Sequence, residues 1–201
     1  MNVAIWVAAF LGALAWSGHD PVDPFIWWLE AIPALALVIV LAVTRRSFPL
    51  SPLAYALLLA YAVLTMIGAH YTYPAVPLFD RLREAFDLSR NYFDKVGHFA
   101  QGFVPAIVIR EILRRKDVVN GRRALPLLVV CCCLAISATY ELLEWGVAVG
   151  FGSEAKDFLG DQGYVWDPQA DMLTALLGAL AAVGLLSEFH DRQLARMSVA
   201  G

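Results

Sequence analysis

The stretch ALPLLVVCCCLAISATYELLEWGVAV, residues 124–149, reads as a helix that crosses a lipid bilayer. It contains no lysine, arginine or aspartate, and it exceeds the about 20 apolar residues that a hydrocarbon core requires. Two acids nevertheless sit inside it. Glu141 and Glu144 are three apart, so they share a helix face, and Ser137 lies one turn inward on that face. Glu141 stands eight residues before the expected helix end near Val149, about 12 Å at the usual helical rise. An ionised carboxylate at that depth costs several kcal/mol unless it is paired, hydrated or metal-bound. This face therefore looks into a helix bundle and not into lipid.

The rest of the chain agrees. Of 201 residues, 60% are hydrophobic and 16% charged, against about 45–50% and about 25% in soluble domains. So many apolar side chains cannot hide in one water-soluble core. The expected fold is an all-α, polytopic transmembrane bundle, a single domain over residues 1–201 whose partner is the lipid bilayer. Six spans are predicted, at roughly 2–17, 25–44, 51–70, 97–113, 124–149 and 170–190. The prolines and aspartates of GHDPVDP, 18–24, break the first from the second. Ala13-Leu14-Ala15 has the form of a leader cleavage site, but no lysine or arginine precedes it, so the first span is expected to be retained. A net charge of −3 without a long basic run excludes a nucleic-acid partner. Cys131, Cys132 and Cys133 are consecutive and lack C-x-x-C spacing, so they read as packing residues. Nothing in the pattern sets an oligomeric state.

Basic residues in loops orient the spans. Arg45 and Arg46 follow span two, Arg114, Arg115, Lys116, Arg122 and Arg123 follow span four, and Arg192 and Arg196 follow span six. Those regions share one side, so both termini are expected to be cytoplasmic. The opposite side carries FDRLREAFDLSR, 79–90, whose Phe79, Leu82 and Phe86 share a helical face. That pattern suits either a short helix lying on the bilayer surface or a packed loop.

Costly polar residues gather toward this outer side. His70 ends span three, and Asp94, Lys95, His98 and Gln101 open span four. His98, Gln101 and Pro105 form a stripe at helical spacing that should face the Glu141–Glu144 stripe, since neither can face lipid. Asp94 is expected to cap span four, and Lys95 to reach headgroups or pair with Asp94 at the surface. Arg110 and Glu111, near its inner end, are expected to be structural. Asp157, Asp161, Asp167 and Asp171 populate the last outer loop and the start of span six, without the spacing of an EF-hand. Asp167-Pro168 has the form of a helix cap and first turn. Thr174, Gly178 and Ala182 give the Asp171 face a ridge of small residues, along which another helix can approach closely.

Several motifs resemble a known family. GAHYTYPAVPLFD, SRNYFDKVGHFAQGFVPAIVIREIL, ATYELLEW and FLGDQGYVWDPQADML are similar to the YjdF-like family of bacterial inner-membrane proteins, over about residues 65–182. That resemblance implies location and topology but no reaction. A weaker likeness reaches the VanZ-like proteins, through Asp94-Lys95, His98-Phe99, Tyr140-Glu141 and Asp171. It implies a link to the cell envelope.

Three functions fit these residues. As an enzyme, the chain would hold a divalent metal through His98, Glu141 and Asp171, with His70 as an extra ligand. Imidazole with carboxylate suits zinc or manganese, and carboxylates alone suit magnesium or calcium. Glu144 would be the general base, Glu141 its catalytic companion, and Asp94, Gln101 and Tyr140 would touch a lipid or lipid-linked envelope substrate undergoing hydrolysis or transfer. Alternatively, the carboxylates bind an envelope amphiphile or carry protons in transport, although no inverted repeat is present. The third function is a membrane scaffold whose polar network fixes helix register.

Overall fold

The computed structural model describes residues 2–119, 123–152, 156–160 and 162–199. Arg122 and Asp161 lie outside the described residues, as do the side chains of Lys156 and Asp157. The described chain is helical throughout its regular structure: α1 (Val3–Ser17), α2 (Pro24–Thr44), α3 (Pro52–Tyr71), α4 (Pro77–Ala85), α5 (Phe93–Arg115), α6 (Ala124–Phe151), α7 (Lys156–Leu159) and α8 (Asp167–Val199), with a 3₁₀ turn at Tyr73–Ala75. Five of these, α2, α3, α5, α6 and α8, are long and apolar enough to cross a membrane. With 15 residues, α1 reaches only about 22 Å against the about 30 Å of a hydrocarbon core. The predicted first span is therefore a shorter apolar helix.

Local signals place the helix starts. The Asp23 carboxylate accepts from the amides of Phe25 and Ile26, at 2.8 and 3.1 Å, and Pro24 follows at the first helical position. Ser51 and Pro52 repeat the arrangement on α3, where Ser51 Oγ accepts from Ala54 N at 3.2 Å. Such caps satisfy amides that a helix start leaves without partners. Asp94 is not a cap: Tyr92 holds that position, and Asp94 lies inside the first turn of α5. The amphipathic segment forms a helix only over α4, which ends at Ala85; Asp87 then takes a left-handed conformation at φ 50°. Phe79 and Leu82 are half-buried and Phe86 is exposed.

The bundle is organised around α5, which packs against α8, α6 and α3, while α1 and α2 pack on α3. The α5–α8 contact is backbone on backbone. A Cβ on Gly102 would lie 1.8 Å from the Ala175 carbonyl oxygen, and one on Gly178 would lie 2.1 Å from that of Phe99. Ala175, Ala179 and Ala182 are fully buried beside them. The small-residue ridge is thus the seam between the two helices. Leu127, Leu142, Trp145 and Val149 of α6 face outward, as do Leu177 and Leu185 of α8. Exposed Trp16, Trp28, Trp145 and Trp166 ring one end of the bundle, the position of an interfacial aromatic belt.

The other end carries a buried ion network. Glu111 and His190 are both 0% exposed. The Glu111 carboxylate accepts from Ser51 N at 2.9 and 3.1 Å, lies 3.1 Å from His190 Nε2, and meets Arg115 Nη1 at 2.8 Å. Arg110 joins His190 Nδ1 at 3.2 Å and Asp191 at 2.6 Å. These bonds fasten the α3 start and α8 to α5, which is the structural role expected of Arg110 and Glu111.

Candidate functional site

At the tryptophan-ringed end, Asp94, Lys95, His98 and Gln101 occupy one side of α5 at spacings of three and four residues. Asp167 and Asp171 do the same on α8. The close seam brings these two faces together. Lys95 Nζ lies 2.7 Å from Asp171 Oδ1 and 3.3 Å from Asp94 Oδ2, and also bonds Asp167. Lys95 therefore turns inward and does not reach for headgroups. Arg90 forks onto Asp167, with Nη1–Oδ1 at 2.5 Å and Nη2–Oδ2 at 3.0 Å, and donates to the Gly160 carbonyl at 2.7 Å. The Asp167 carboxylate thus ties the loops before α5 and α8 together. Burial works against the charge on Arg90, but Asp167, Asp94 and Asp171 outweigh it and raise its pKa above the ordinary arginine value.

His98 is the centre of the arrangement. Its Nε2 lies 3.3 Å from Asp94 Oδ1 and 3.6 Å from Asp171 Oδ1. Its Nδ1 lies 3.3 Å from Gln101 Oε1 and 3.6 Å from Glu141 Oε1. Oxygen acceptors therefore flank both nitrogens of a ring that carries one N–H when neutral. Three arrangements satisfy such a ring: it is doubly protonated, a neighbour donates to it as a carboxylic acid or a turned Gln101 amide, or a cation sits at one nitrogen. One ligand atom each from Asp94, His98 and Asp171 lies within 4.8 Å of the other two. A tetrahedral ion with bonds of about 2.0–2.1 Å has ligand edges of about 3.3–3.4 Å, close to the two His98 distances. The Nδ1 side supplies the second half of such a site. A partner there holds the tautomer and leaves Nε2 free to ligate.

The structure brings together a different trio from the expected His98, Glu141 and Asp171. Glu141 does not join Asp171; it lies at the opposite ring nitrogen, and its buried Oε1 makes no hydrogen bond among the described residues. Asp94 takes its place. His70 stands apart, with Nδ1 3.1 Å from the Ser17 carbonyl oxygen and its ring 4.7 Å from that of Trp16. Its carbonyl accepts from Val22 N at 2.9 Å, so His70 belongs to the α1–α3 contact.

Behind His98, a cavity of about 210 Å³ opens between α2, α3, α5 and α6. Asp94, His98, Gln101, Tyr140 and Glu144 line it, so it adjoins the three converging ligand atoms. Glu30 of α2 lines it too, 3.5 Å from the Tyr140 hydroxyl. Sequence reading missed Glu30, although the signal was present. It is the sole charged residue between Pro24 and Thr44, and a lone ionisable group within a span marks a functional position by default.

Comparison with known proteins agrees with this architecture. A family model described as "Predicted membrane protein (DUF2238)" matches residues 2–192. The chain belongs to the DUF2238 family. As a DUF2238 protein it is a multi-pass membrane protein, consistent with its five long apolar helices. It is 48% identical over 186 residues to the "Inner membrane protein YjdF" of Escherichia coli (strain K12), covering 92% of this chain and 89% of that protein. No solved structure matches.

Proposed function

We propose that this protein is a divalent-metal-dependent enzyme of a bacterial inner membrane, the location named for its Escherichia coli relative. Its substrate is a lipid-linked ester or phosphoester of the envelope. The observation that carries this reading is the His98 ring. Two carboxylate oxygens converge on Nε2, while Gln101 and Glu141 face Nδ1. Asp94, His98 and Asp171 would hold the ion, and imidazole with carboxylate suits zinc or manganese. Glu141 and Gln101 would orient the ring. A bound metal supplies Lewis acidity toward a carbonyl or phosphoryl oxygen and lowers the pKa of water. Glu144, which lines the adjoining cavity, would accept the proton of an attacking water and return it to the ester oxygen as that bond breaks, so that the alcohol leaves neutral. Tyr140 and Gln101 would contact the substrate. The outer side of the membrane suits this site, because the opposite end carries Arg45, Arg46, Arg114 and Arg115.

The test is metal content. Purified full-length protein, incubated with zinc or manganese and desalted, should retain about one ion per chain. His98→Ala and Asp171→Asn should lose it while keeping their helical circular dichroism. Wild-type protein that retains neither metal refutes the enzyme reading. Should the variants also unfold, the cluster is a scaffold.

A further inference from the structure

The cavity behind His98 holds a second acid, Glu30, that the metal reading leaves idle, beside the Glu144 that it makes a base. Glu30 is 6% exposed and Glu144 7% exposed, and both line it. No lysine or arginine does so among the described residues. Glu30 has one bond, long at 3.5 Å, from the Tyr140 hydroxyl. Among the described residues, no group hydrogen-bonds or ion-pairs with the Glu144 carboxylate. The one basic group on the wall among the described residues, His98, is engaged with Asp94, Asp171 and Glu141, so the two buried carboxylates are stable only if protonated or joined by a cation from outside.

The remaining walls suit one kind of cation. Tyr61, Tyr73 and Tyr140 surround the space. Tyr73 is held in a slot made by two glycines: a Cβ on Gly68 would lie 2.2 Å from its ring, and one on Gly97 would lie 2.8 Å from it. The ring is therefore fixed before any ligand arrives. Aromatic faces beside carboxylates favour organic ammonium groups. A volume of about 210 Å³ holds about seven water-sized groups, the size of ethanolamine or tetramethylammonium.

We infer that the cavity bounded by Glu30, Glu144, Tyr61, Tyr73 and Tyr140 is a binding site for a small organic ammonium group. The site does not need the metal, and it takes the ammonium either from a free amine or from the headgroup of an aminophospholipid.

The experiment is calorimetric titration of the full-length protein in detergent, with EDTA present, using ethanolamine and tetramethylammonium. Saturable binding of at least one is expected. Glu144→Gln and Glu30→Gln should each weaken it by about ten- to hundred-fold, the loss of one charge-assisted contact. A second measurement needs no variant. A hydrophobic carbodiimide should modify Glu30 or Glu144 in the wild-type chain, and tetramethylammonium should slow that modification in proportion to its concentration. Phosphatidylethanolamine that purifies with wild type and is lost from Glu144→Gln identifies the headgroup as source. Equal ethanolamine binding in phosphatidylethanolamine and phosphatidylglycerol nanodiscs identifies the free amine. Wild-type protein that binds neither probe overturns the inference, as does binding that both glutamine variants retain in full. EDTA separates these results from the metal reading, which can fail while this site stands.

Discussion

Replacing Gly178 with alanine tests whether the α5–α8 seam builds the His98 cluster. The new Cβ would lie 2.1 Å from the Phe99 carbonyl oxygen and 3.0 Å from Phe103 N. Carbon and oxygen approach to about 3.3 Å even in favourable contacts, so the helices must part by about 1 Å or more. Neither obstacle is the free end of a side chain, and neither can turn aside. Overpacking of this kind costs about 1–3 kcal/mol. The same displacement acts on the cluster, since His98 adjoins Phe99 on α5 and Asp171 lies two turns before Gly178 on α8. Their 3.6 Å separation would stretch to about 4.6 Å, wider than the ligand edge of a single tetrahedral ion. Thermal unfolding in detergent and zinc titration read the two effects. The expected result is a Tm lowered by several degrees and zinc affinity reduced by about ten-fold or more. Gly184→Ala is the control, because its Cβ meets nothing within 4 Å. It should leave both values near wild type. A Gly178→Ala protein with unchanged Tm and affinity would refute the seam argument. A fall in Tm alone would break the link between seam and cluster.

Further outcomes follow from individual contacts. Lys95 shares Asp171 Oδ1 with His98, so Lys95→Met should raise zinc affinity by about ten-fold in a chelator-dye competition; a weaker affinity would mean that Lys95 supports the ion. Glu111→Ala leaves Ser51 N, His190 and Arg115 without their shared acceptor, and should cost about 3 kcal/mol or more in reversible unfolding. A loss below about 1 kcal/mol would assign that network no role in stability. His70→Ala should leave metal content unchanged, since His70 contacts Ser17 and Trp16; metal loss in that variant would reinstate His70 as a ligand.

Much of this architecture was legible because a bilayer punishes deviation. The five long apolar helices, the small-residue ridge through Gly178 and the burial of the Glu141–Glu144 face all follow from the cost of polar groups in hydrocarbon. What escaped was partner choice. Spacing places Asp94 and His98 on one face of α5, but it does not say which ring nitrogen meets Asp171 and which meets Glu141. The Lys95–Asp94 pair was legible, but the bonds of Lys95 and Arg90 to Asp167 were not, because nothing local tells that α8 lies across from them. Asp167 read as a cap for the same reason. The terminal spans fared differently: α8 continues through Glu188, Asp191 and Arg192 to Val199, so its helix outlasts its apolar run, while α1 ends at Ser17 as expected but is shorter than a membrane span. His70 shows the converse error. A histidine at a helix end is equally suited to ligation and to bonding a neighbouring carbonyl, and only the α1–α3 contact decides between them.

The two polar networks grip the same pair of helices at separate heights. Asp94 and Glu111 are seventeen residues apart on α5, about 25 Å along its axis, and at both levels the bonds run to α8. A helix bolted twice can neither slide nor swivel against its neighbour without tearing out one fastening. The wall of the chamber outside this frame is α2, which packs on α3 and α7 and meets α6 through the Phe25–Phe151 ring contact and the Tyr140–Glu30 bond. Any change in the width of the chamber would thus fall on the α2 side, leaving the frame of α5 and α8 standing still.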